Sequence, residues 1–383
     1  MDYNYVLQPF SQEATAEKTD PSWIVGCPHC GGAIDVTGIE IGSVLTCPHC
    51  GKLFTLTREF AGYTLIRALG SGGMGTVYLA YDSQLNRTVA VKVLRESFSQ
   101  DPKFVANFNY EAAITASINH PNIVQVYGSG LAEGRHYIVM EYISGGSLDD
   151  RIQAQKRLPE ADVIDIGLAV ARGLSAALSR GLIHRDIKPG NILFNSLGTP
   201  KIVDFGLSLI VGENDHFTGE IWGTPYYLAP EKLLQRQEDF RSDMYSLGAT
   251  LFHALAGRPP YQEEDADRVA LRHLQGAPVL IATFVPDLSP QMIGVIQRCM
   301  ERDPERRFPN YQELIAQLED AKRRLSLSHA IVPAQTIKRP PAAKIRNPAD
   351  SDAIALVLMV ATVLAIGLLL AVAIIYHEQI FGS

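Results

Sequence analysis

The stretch HRDIKPGN at 184–191, followed by DFG at 204–206, carries the most chemistry in this sequence. The first motif offers a carboxylate at Asp186, a cation at Lys188 and an amide at Asn191, and the second adds the carboxylate of Asp204. Two hard oxygen ligands beside a polyphosphate suit Mg²⁺, which keeps several of its own waters. We therefore interpret Asn191 and Asp204 as magnesium ligands and Asp186 as a group that can accept a proton. Lys188 would add a positive charge beside the phosphates.

A glycine-rich segment, GSGGMGTV from Gly70 to Val77, lies upstream and reads G-x-G-x-x-G-x-V. Glycines at such positions let backbone N–H groups approach phosphate oxygens without a Cβ in the way. A strand-like run (VYLAY) follows it rather than a helix, which disfavours a dinucleotide-binding fold. Further along, VAVK places Lys92 on a strand, and Glu111 on a helical stretch is its candidate partner. A lone Lys–Glu pair is usually a surface salt bridge, so its significance depends on the other motifs.

Taken together, these motifs make residues 60–325 resemble a protein kinase domain. GTPYYLAPE (223–231) and Asp243 in SDMYSLG extend the resemblance, and all the motifs occur in the order of that family. The GGMG sequence of the glycine-rich segment is similar to that of bacterial, so-called Hanks-type, kinases. Lys188 and Thr224 resemble the serine/threonine branch rather than the tyrosine branch. The resemblance implies transfer of the γ-phosphoryl group of Mg-ATP to Ser/Thr hydroxyls of protein substrates, with ATP and Mg²⁺ as cofactors.

The resemblance also implies roles position by position. Asp186, Lys188 and Asn191 would be catalytic, and Asn191 and Asp204 would hold magnesium. Glu231 would pair with Arg307, and Asp243 would brace the backbone of the catalytic loop. Met140 would be the gatekeeper and Glu141, Tyr142 and Ile143 the hinge that receives adenine. The full set of expected ATP-binding residues is Leu69, Gly70, Ser71, Gly72, Gly73, Met74, Gly75, Val77, Ala90, Lys92, Glu111, Met140, Glu141 and Ile143.

Regulation would involve the arginine that precedes the catalytic aspartate. In this family such an arginine, here Arg185, commonly receives a phosphate from the activation segment. Thr218 is the best candidate for that phosphate, and Thr224 is a second one, although a structural contact with Asp186 and Lys188 is expected for it. A phosphate brings roughly −2 charge and could order the segment by charge-assisted bonds. Autophosphorylation of this kind suggests a homodimer as an intermediate.

The fold expected is α+β and bilobal, since strand patterns come first and long helical patterns dominate after Ser147. The 383 residues are too many for one ordinary core, and 46% hydrophobic with 20% charged residues is typical of a globular protein. Cys299 lies in an apolar helical stretch (IGVIQRCM) and is interpreted as a core thiol.

Two near-identical knuckles, CPHCGG and CPHCGK, precede the kinase-like region. The pairs Cys27/Cys30 and Cys47/Cys50 fit a Cys₄ Zn²⁺ site and resemble a zinc ribbon over residues 23–57, with iron or a redox dithiol as alternatives. Four cysteine ligands would fill a tetrahedral site and leave no open position for catalysis, which favours a structural metal. His29 and His49, between the cysteines, are expected to point outward. The ribbon is either a regulatory or interaction module or a stabilising cap on the kinase domain.

Charge argues against nucleic acid as a partner. The net charge is −7, and the ribbon contains only Asp35, Glu40 and Lys52 as charged residues. A nucleic-acid-binding protein usually carries a basic surface, and neither the net charge of the chain nor the charges of the ribbon fit that pattern. The sequence allows three functions for the whole chain: an active kinase, a membrane-tethered scaffold that only binds nucleotide or partners, and a nucleic-acid-reading ribbon with the kinase as effector. The intact set of Lys92, Asp186, Asn191 and Asp204 favours the active kinase.

The C-terminal region predicts a membrane anchor. Residues 353–376 contain no charge and would span ~36 Å as a helix, enough for a ~30 Å hydrocarbon layer. Basic residues precede this stretch in the Pro-rich linker 326–352, whereas the tail 377–383 contains no Lys or Arg. The positive-inside rule then leaves the kinase domain in the cytoplasm of a single-pass protein of the cell (inner) membrane. A buried core helix is the alternative. Residues 1–22 are interpreted as a flexible leader without a secretory signal.

Overall fold

Two antiparallel hairpins open the part of the chain that the structure describes. The structure is a computed structural model that describes residues 23–205, 209–210, 225–263, 265–275, 279–330 and 348–381. Strand β1 (Ile24–Gly26) pairs with β2 (Ala33–Asp35), and β3 (Val44–Thr46) pairs with β4 (Leu53–Thr55). Each CPHC motif forms the turn of one hairpin, and the glycine after it has a positive φ, 75° at Gly31 and 72° at Gly51. Glycine adopts this conformation without steric penalty, so each turn can fold tightly around two thiols.

A six-stranded antiparallel sheet follows, in the order β5-β6-β7-β8-β10-β9. Alternating side chains form its core, and Phe60, Leu65, Ala80, Val89 and Val91 are among the buried ones. The strands are β5 (Arg58–Phe60), β6 (Tyr63–Ser71), β7 (Gly75–Asp82), β8 (Arg87–Leu94), β9 (Val126–Ala132) and β10 (Arg135–Glu141), and the helices α1 (Glu96–Ser99) and α2 (Pro102–Ser117) lie between β8 and β9 in sequence.

The second lobe is mainly helical and is built around α4 (Glu160–Leu178) and α6 (Phe240–Ala256). Gly248 of α6 lies so close to α8 (Pro290–Cys299) that an added Cβ would come within 2.6 Å of the Cβ of Cys299. Cys299 is fully buried, which confirms the predicted core thiol. The remaining elements are α3 (Leu148–Gln155), β11 (Leu182–Ile183), β12 (Ile192–Phe194), β13 (Pro200–Ile202), β14 (Leu209–Ile210), α5 (Pro230–Leu233), α7 (Ala266–Gln275) and α9 (Tyr311–Ala330), with 3₁₀ turns at Pro189–Asn191, Pro225–Tyr227, Ile281–Thr283 and Pro304–Arg306.

The two lobes confirm the predicted α+β, bilobal class, with strands before helices along the chain. The helical lobe contains two short two-stranded sheets, the hairpin β12–β13 and the antiparallel pair β11–β14. The motif HRDIKPGN lies between β11 and β12, and Asp204 and Phe205 of DFG follow β13. Rigid short strands on both sides of a loop limit its freedom, so the candidate catalytic side chains are presented by backbone that is held at both ends.

A second unit, 330–383, contains helix α10 (Pro348–Phe381). Its segment Ala355–Val372 is long and apolar enough to cross a membrane. The predicted linker 326–352 was too long at both ends, because α9 continues to Ala330 and α10 begins at Pro348. The run LSLSHA contains no proline or glycine to stop α9, and proline is well tolerated at the first position of a helix. For the same lack of a breaker, α10 extends into the predicted tail as far as Phe381.

Candidate active site

The glycine-rich segment forms the hairpin between β6 and β7. Ser71 lies opposite Thr76 across the turn, and the N–H of Gly72 donates to the carbonyl of Gly75 at 2.9 Å. A Cβ added to Gly75 would clash with the carbonyl oxygen of Val93 on β8, so packing itself demands glycine there. A Cβ on Gly70 or Gly72 would meet no heavy atom within 4 Å. The protein's own packing therefore does not require glycine at 70 or 72, and the space beside both residues is open.

The side chains around this hairpin separate into two groups. Ala90, opposite Met140 in the β8–β10 pair, is buried, and Ile143 just after β10 is buried as well. Val77 lies opposite both Gly70 and Lys92 and is half-buried, and Leu69 is exposed. The side chain of Met74 packs against the hydrophobic cluster of Leu94, Phe108, Ala112, Val126 and Ile138, so the predicted ATP contact of this residue would fall to its backbone.

Lys92 joins the two lobes. It lies on β8 opposite Val77 and Ile138, and its ammonium contacts the carboxylate of Asp204, which follows β13. The positive charge of Lys92 lowers the pKa of Asp204 below its ordinary value, so the carboxylate is ionised at neutral pH. Glu111 lies on α2, but its side chain is outside the described residues, so the predicted Lys92–Glu111 pair stays a prediction.

Asp186 is held by two neighbours in the catalytic loop. The ammonium of Lys188 donates to Oδ2 of Asp186 at 2.7 Å, and the side-chain amide of Asn191 donates to the same oxygen at 2.9 Å and to the Asp186 carbonyl at 2.8 Å. Among the described residues, no hydrogen bond reaches Oδ1 of Asp186. Because the NH₂ of Asn191 is occupied by Asp186, its carbonyl oxygen is the atom left to bind a cation.

His184 links the catalytic loop to the segment that bears Asp204. Its Nδ1 accepts from the N–H of Asp186 at 3.2 Å, which requires that the proton reside on Nε2, and Nε2 lies 3.0 Å from the carbonyl of Val203. The imidazole also lies against the ring of Phe205, with centroids 4.6 Å apart. The N–H of Val203 in turn donates to the carbonyl of Asn191 at 3.0 Å. Asp186 and Asn191 are therefore connected by hydrogen bonds to the backbone of Val203, the residue directly before Asp204.

The carboxylate of Asp243 braces the loop from below. It is 1% exposed and accepts the backbone N–H groups of His184 at 2.8 Å and Arg185 at 2.7 Å. Burial raises the pKa of Asp243, and the two backbone hydrogen bonds oppose that effect. Arg185 and Asp204 both have a positive φ, 68° and 62°, a conformation that is unfavourable for residues other than glycine. Arg185 directly precedes Asp186, and Asp204 is itself a candidate carboxylate. Backbone strain of this kind is common at functional sites.

Beyond the cleft, the predicted ion pair of Glu231 and Arg307 is present in the interior. The guanidinium donates to both carboxylate oxygens, at 2.6 and 2.8 Å, and the Arg307 side chain is fully buried. Ser242 donates to the same carboxylate at 2.7 Å. Burial by itself would raise the pKa of Glu231, but the pair with Arg307 outweighs it and lowers the pKa below the ordinary value. This pair attaches the start of α5 to the segments around α6 and α9.

Sequence reasoning missed a charged cluster around Arg185. The carboxylate of Glu238 lies 3.6 Å from the Arg185 guanidinium, and both side chains are nearly buried. Lys232 donates to the carbonyl of Arg185 at 2.7 Å. Burial raises the pKa of Glu238 and lowers the pKa of Lys232, so both charges depend on their partners. Nothing in the spacing of the sequence singles out Glu238. It is the loop between α5 and α6 that returns it to the catalytic loop.

The hinge shows a second contact that the sequence did not reveal. The carboxylate of Glu141 accepts from Lys201 of β13 at 2.9 Å, and the N–H of Glu141 donates to the carbonyl of Gln125 at 2.8 Å. The Glu141 side chain is thereby occupied by protein groups, so any contact of this residue with a ligand falls to its backbone. The two candidate phosphosites, Thr218 and Thr224, lie outside the described residues.

The four cysteines of the ribbon converge. Their sulfur atoms all lie within 4.8 Å of one another, with 3.8 Å between Cys27 and Cys50 and 3.7 Å between Cys30 and Cys47. A tetrahedral site with Zn–S bonds of about 2.3 Å has edges of about 3.8 Å, so the cluster fits zinc and is too wide for disulfides.

Backbone and histidine groups support this cluster. The N–H of His29 donates to the sulfur of Cys27 at 3.4 Å, and the N–H of His49 donates to the sulfur of Cys47 at 3.3 Å. The rings of His29 and His49 lie away from the sulfurs, as expected, but they do not simply project into solvent. Each lies 3.0 Å from a carbonyl of the other knuckle, that of Leu53 or Ala33, and so cross-links the two hairpins.

Comparison with known proteins agrees with this geometry. The family described as protein kinase domain matches residues 63–317. A probable serine/threonine-protein kinase of Streptomyces coelicolor is 35% identical over 264 residues, which are 67% of this chain and 39% of that protein. The serine/threonine-protein kinase PknJ of Mycobacterium tuberculosis is 41% identical over 261 residues, 66% of this chain and 44% of PknJ. This chain therefore spans less than half the length of these curated relatives.

A solved structure extends the similarity to three dimensions. The crystal structure of the Mycobacterium tuberculosis PknI kinase domain superposes with a TM-score of 0.56 at 31% identity, covering 69% of this chain and 97% of that domain. The family match runs from β6 to the early part of α9 and contains all the kinase motifs described above. The chain belongs to the protein kinase domain family.

Proposed function

We propose that this protein is an ATP-dependent serine/threonine protein kinase that acts in bacterial signalling. The observation that carries the proposal is that hydrogen bonds of the catalytic loop, which contains Asp186 and Asn191, reach the backbone of Val203 directly before Asp204. Lys92 of the other lobe contacts the carboxylate of Asp204. Phosphoryl transfer needs little covalent chemistry from the protein, and depends on alignment and on neutralisation of charge. A cleft that brings two cations and two carboxylates into one rigid arrangement suits that task.

In the proposed reaction, Oδ1 of Asp186 accepts the proton of the substrate hydroxyl as its oxygen attacks the γ-phosphorus. Lys188 and Asn191 occupy Oδ2, so they orient the carboxylate and direct its other oxygen toward the substrate. Lys188 also lies within reach of the transferred group and neutralises part of its charge. Mg²⁺, held by the carbonyl oxygen of Asn191 and the carboxylate of Asp204, would supply charge neutralisation at the phosphates. Lys92, held by Asp204, would orient the α- and β-phosphates.

The nucleotide would lie between the β6–β7 hairpin and the hinge. The backbone of Gly70 to Gly75 would cover the phosphates, because the openings at Gly70 and Gly72 admit a close ligand. Adenine would lie between Leu69, Val77 and Ala90, beside the gatekeeper Met140, and would bond to backbone groups of Glu141 and Ile143. The contact of Glu141 with Lys201 supports this assignment, because it keeps the carboxylate away from the base.

Radiolabelled Mg-ATP transfer to a peptide mixture, followed by phosphoamino-acid analysis, tests the proposal on the full chain in detergent. We expect label on Ser and Thr, loss of transfer in Asp186→Asn with Mg-ATP binding retained, and loss of transfer in Lys92→Met and Asp204→Ala. Asp165→Asn is the matched control, because Asp165 is half-exposed in an ion pair with Lys322 on α9. Undiminished transfer by Lys92→Met or Asp204→Ala would reject the kinase assignment. If the wild type binds nucleotide but transfers no phosphate, the protein would be a nucleotide-binding scaffold rather than an active kinase.

The Cys₄ cluster is proposed to hold one structural Zn²⁺. The sulfur-to-sulfur distances support a tetrahedral site, and four protein ligands leave no open position for catalysis. Zinc would stabilise a unit whose own apolar core is very small, consisting of Cys27, Cys47 and Phe54 with Ile34 and Leu45 beside them. Units of this size usually need a metal or a disulfide to remain folded.

Helix α10 is proposed to anchor the protein in the cell membrane as a single span, with the kinase domain on the cytoplasmic side. The apolar segment Ala355–Val372 supports the span. Lys338, Arg339, Lys344 and Arg346 precede the helix, and the positive-inside rule keeps that side in the cytoplasm. ATP and reduced thiols, which the active site and the Cys₄ cluster require, are both cytoplasmic. We also propose that the kinase phosphorylates protein substrates and that it forms a transient homodimer while it autophosphorylates Thr218.

A further inference from the structure

The zinc ribbon packs directly on the strand that leads to the glycine-rich turn. The contact is made by Gly42, at the tip of the turn between the two cysteine hairpins. Gly42 has a φ of 97°, and a Cβ added to it would lie 2.7 Å from Cβ of Arg67 and 3.0 Å from the carbonyl oxygen of Ile66. Both belong to β6. The backbone of Gly42 therefore lies in van der Waals contact with the backbone of β6, and the space between them cannot hold a side chain.

The contact falls on an irregular point of β6. The pairing of β6 with β7 shifts register between Leu65 and Arg67, so Ile66 is the extra residue of a bulge. A bulge interrupts the hydrogen-bonded ladder and leaves its strand less constrained by the neighbouring strand. The ribbon turn thus contacts β6 at a residue that β7 leaves unpaired.

The turn itself is held firmly. The N–H of Gly42 donates to the carbonyl of Leu56 at 2.8 Å, and the N–H of Leu56 donates to the carbonyl of Ser43 at 2.8 Å. Leu56 is 1% exposed. Next to the turn, Ile41 packs against the buried cluster of the kinase sheet that contains Leu65. A hydrogen-bonded turn with a buried anchor can transmit the position of the ribbon to β6.

A second contact fixes the ribbon at its other end. The guanidinium of Arg58 on β5 lies over the ring of Trp23, 5.4 Å from its centroid, and also forms an ion pair of 2.6 Å with Glu133 in the β9–β10 turn. Two separated points of contact, at Trp23 and at Gly42, define the orientation of the ribbon on the sheet. One contact alone would allow it to pivot.

Beyond Arg67, strand β6 continues directly into the proposed phosphate-binding turn. Gly70 lies three residues further, about 10 Å along an extended strand, and a second register shift between Ala68 and Gly70 loosens that last part. The proposed phosphate contacts depend on where this segment lies. A displacement of about 1 Å in a positioning group can reduce an enzymatic rate by about 100-fold.

We propose that Gly42 is a positioning residue for ATP: the ribbon turn holds the bulge of β6 in place and so sets the position of the phosphate-binding turn. This inference rests on the proposed kinase function. The sequence left the role of the ribbon open, and here the ribbon helps to position the nucleotide site of its own chain. Loosening of the Cys₄ cluster would act through the same contact.

The chain offers a matched pair of substitutions for the test. Gly42→Ala inserts a methyl group against β6, whereas Gly38→Ala introduces the same methyl group at a φ of 76° with no heavy atom within 4 Å. Both substitutions place a Cβ at a positive φ, which is sterically unfavourable, and neither position is one of the four cysteines proposed to bind zinc. The full chain in detergent is assayed for KM of ATP, kcat, zinc content and hydrogen exchange over residues 63–75.

Gly42→Ala should raise KM for ATP by about fivefold or more with a smaller change in kcat, and should speed hydrogen exchange between Ile66 and Ser71, with zinc content unchanged. Gly38→Ala should match the wild type in all four measurements. Equal KM values and equal exchange for the two variants would overturn the inference. So would an effect of Gly42→Ala that is confined to zinc content and thermal stability.

A second pair covers the case in which Gly42→Ala fails to fold. Ile41→Ala removes side-chain contact with the kinase sheet without adding volume, and Ile24→Ala is its control because Ile24 is 60% exposed on the ribbon. Ile41→Ala alone should raise KM for ATP and speed exchange in β6, and equality of the two would reject the inference. If the wild type transfers no phosphate, the proposed function fails, but hydrogen exchange in β6 still reports whether the ribbon positions that strand.

Discussion

The buried pair of Glu231 and Arg307 allows a quantitative prediction about stability. Arg307→Met keeps most of the side-chain volume and removes the positive charge. It leaves the Glu231 carboxylate, whose side chain is 7% exposed, without its bidentate partner. Breaking a buried ion pair by removal of one partner costs about 3–5 kcal/mol, and we therefore expect Arg307→Met to lower the free energy of unfolding by about 4 kcal/mol. For a domain of this size that corresponds to a Tm about 10 °C lower.

The neighbouring arginine supplies the control. Arg306 has a side chain that is 73% exposed and lies 3.9 Å from Asp303. Arg306→Met should change the free energy of unfolding by no more than about 0.5 kcal/mol, because exposed ion pairs contribute little. Thermal unfolding of the full chain in detergent, followed by tryptophan fluorescence and circular dichroism, measures both variants under identical conditions.

A double variant separates loss of the pair from loss of packing. Arg307→Met combined with Glu231→Leu leaves no uncompensated charge, so it should be more stable than Arg307→Met alone. A double variant whose destabilisation equals the sum of the two single effects would refute the reasoning. So would an Arg307→Met protein that unfolds within about 0.5 kcal/mol of Arg306→Met.

The pH dependence of the same variants has a definite sign. In the wild type the pKa of Glu231 is lowered from its ordinary value of 4.5 by Arg307, so the pair stabilises the fold above that pH and is lost as the pH falls through the lowered pKa. In Arg307→Met, burial remains as the main influence and raises the pKa of Glu231. The difference in free energy of unfolding between the wild type and Arg307→Met should therefore become smaller as the pH is lowered from 7 toward 5.

Three further outcomes are expected. Purified full chain should contain one zinc ion, and Cys47→Ser should reduce its zinc content; iron in its place, or no metal, would contradict the proposed site. Active enzyme should carry a phosphate on Thr218, which would replace Glu238 as the anionic partner of Arg185; mass spectrometry that finds residues 208–224 unmodified in active enzyme would count against this. Protease added outside intact spheroplasts should spare the kinase domain, and its digestion from outside would reverse the proposed orientation.

Part of the fold and most of the candidate site could be predicted because the responsible signals are local. A glycine-rich turn between strands, a strand-borne lysine and the triplet DFG each reflect the demands of a few adjacent backbone groups. The same holds for the CPHCG knuckles, where two cysteines and a glycine with positive φ lie within five residues. The linker boundaries were less predictable, because a helix ends at a breaker or where favourable contacts stop, and composition alone did not reveal that α9 reaches Ala330.

The pattern of residues along the chain thus determined the bilobal fold and the family, and it predicted the four candidate groups Lys92, Asp186, Asn191 and Asp204. Only the tertiary structure decided which groups meet across long separations. Glu238 reaches Arg185, Lys201 occupies the carboxylate of Glu141, and Gly42 lies on the bulge at Ile66. No periodicity or spacing encodes these contacts. They arise when separate elements pack, since close packing brings whatever side chains or backbone the facing surfaces carry to within atomic contact.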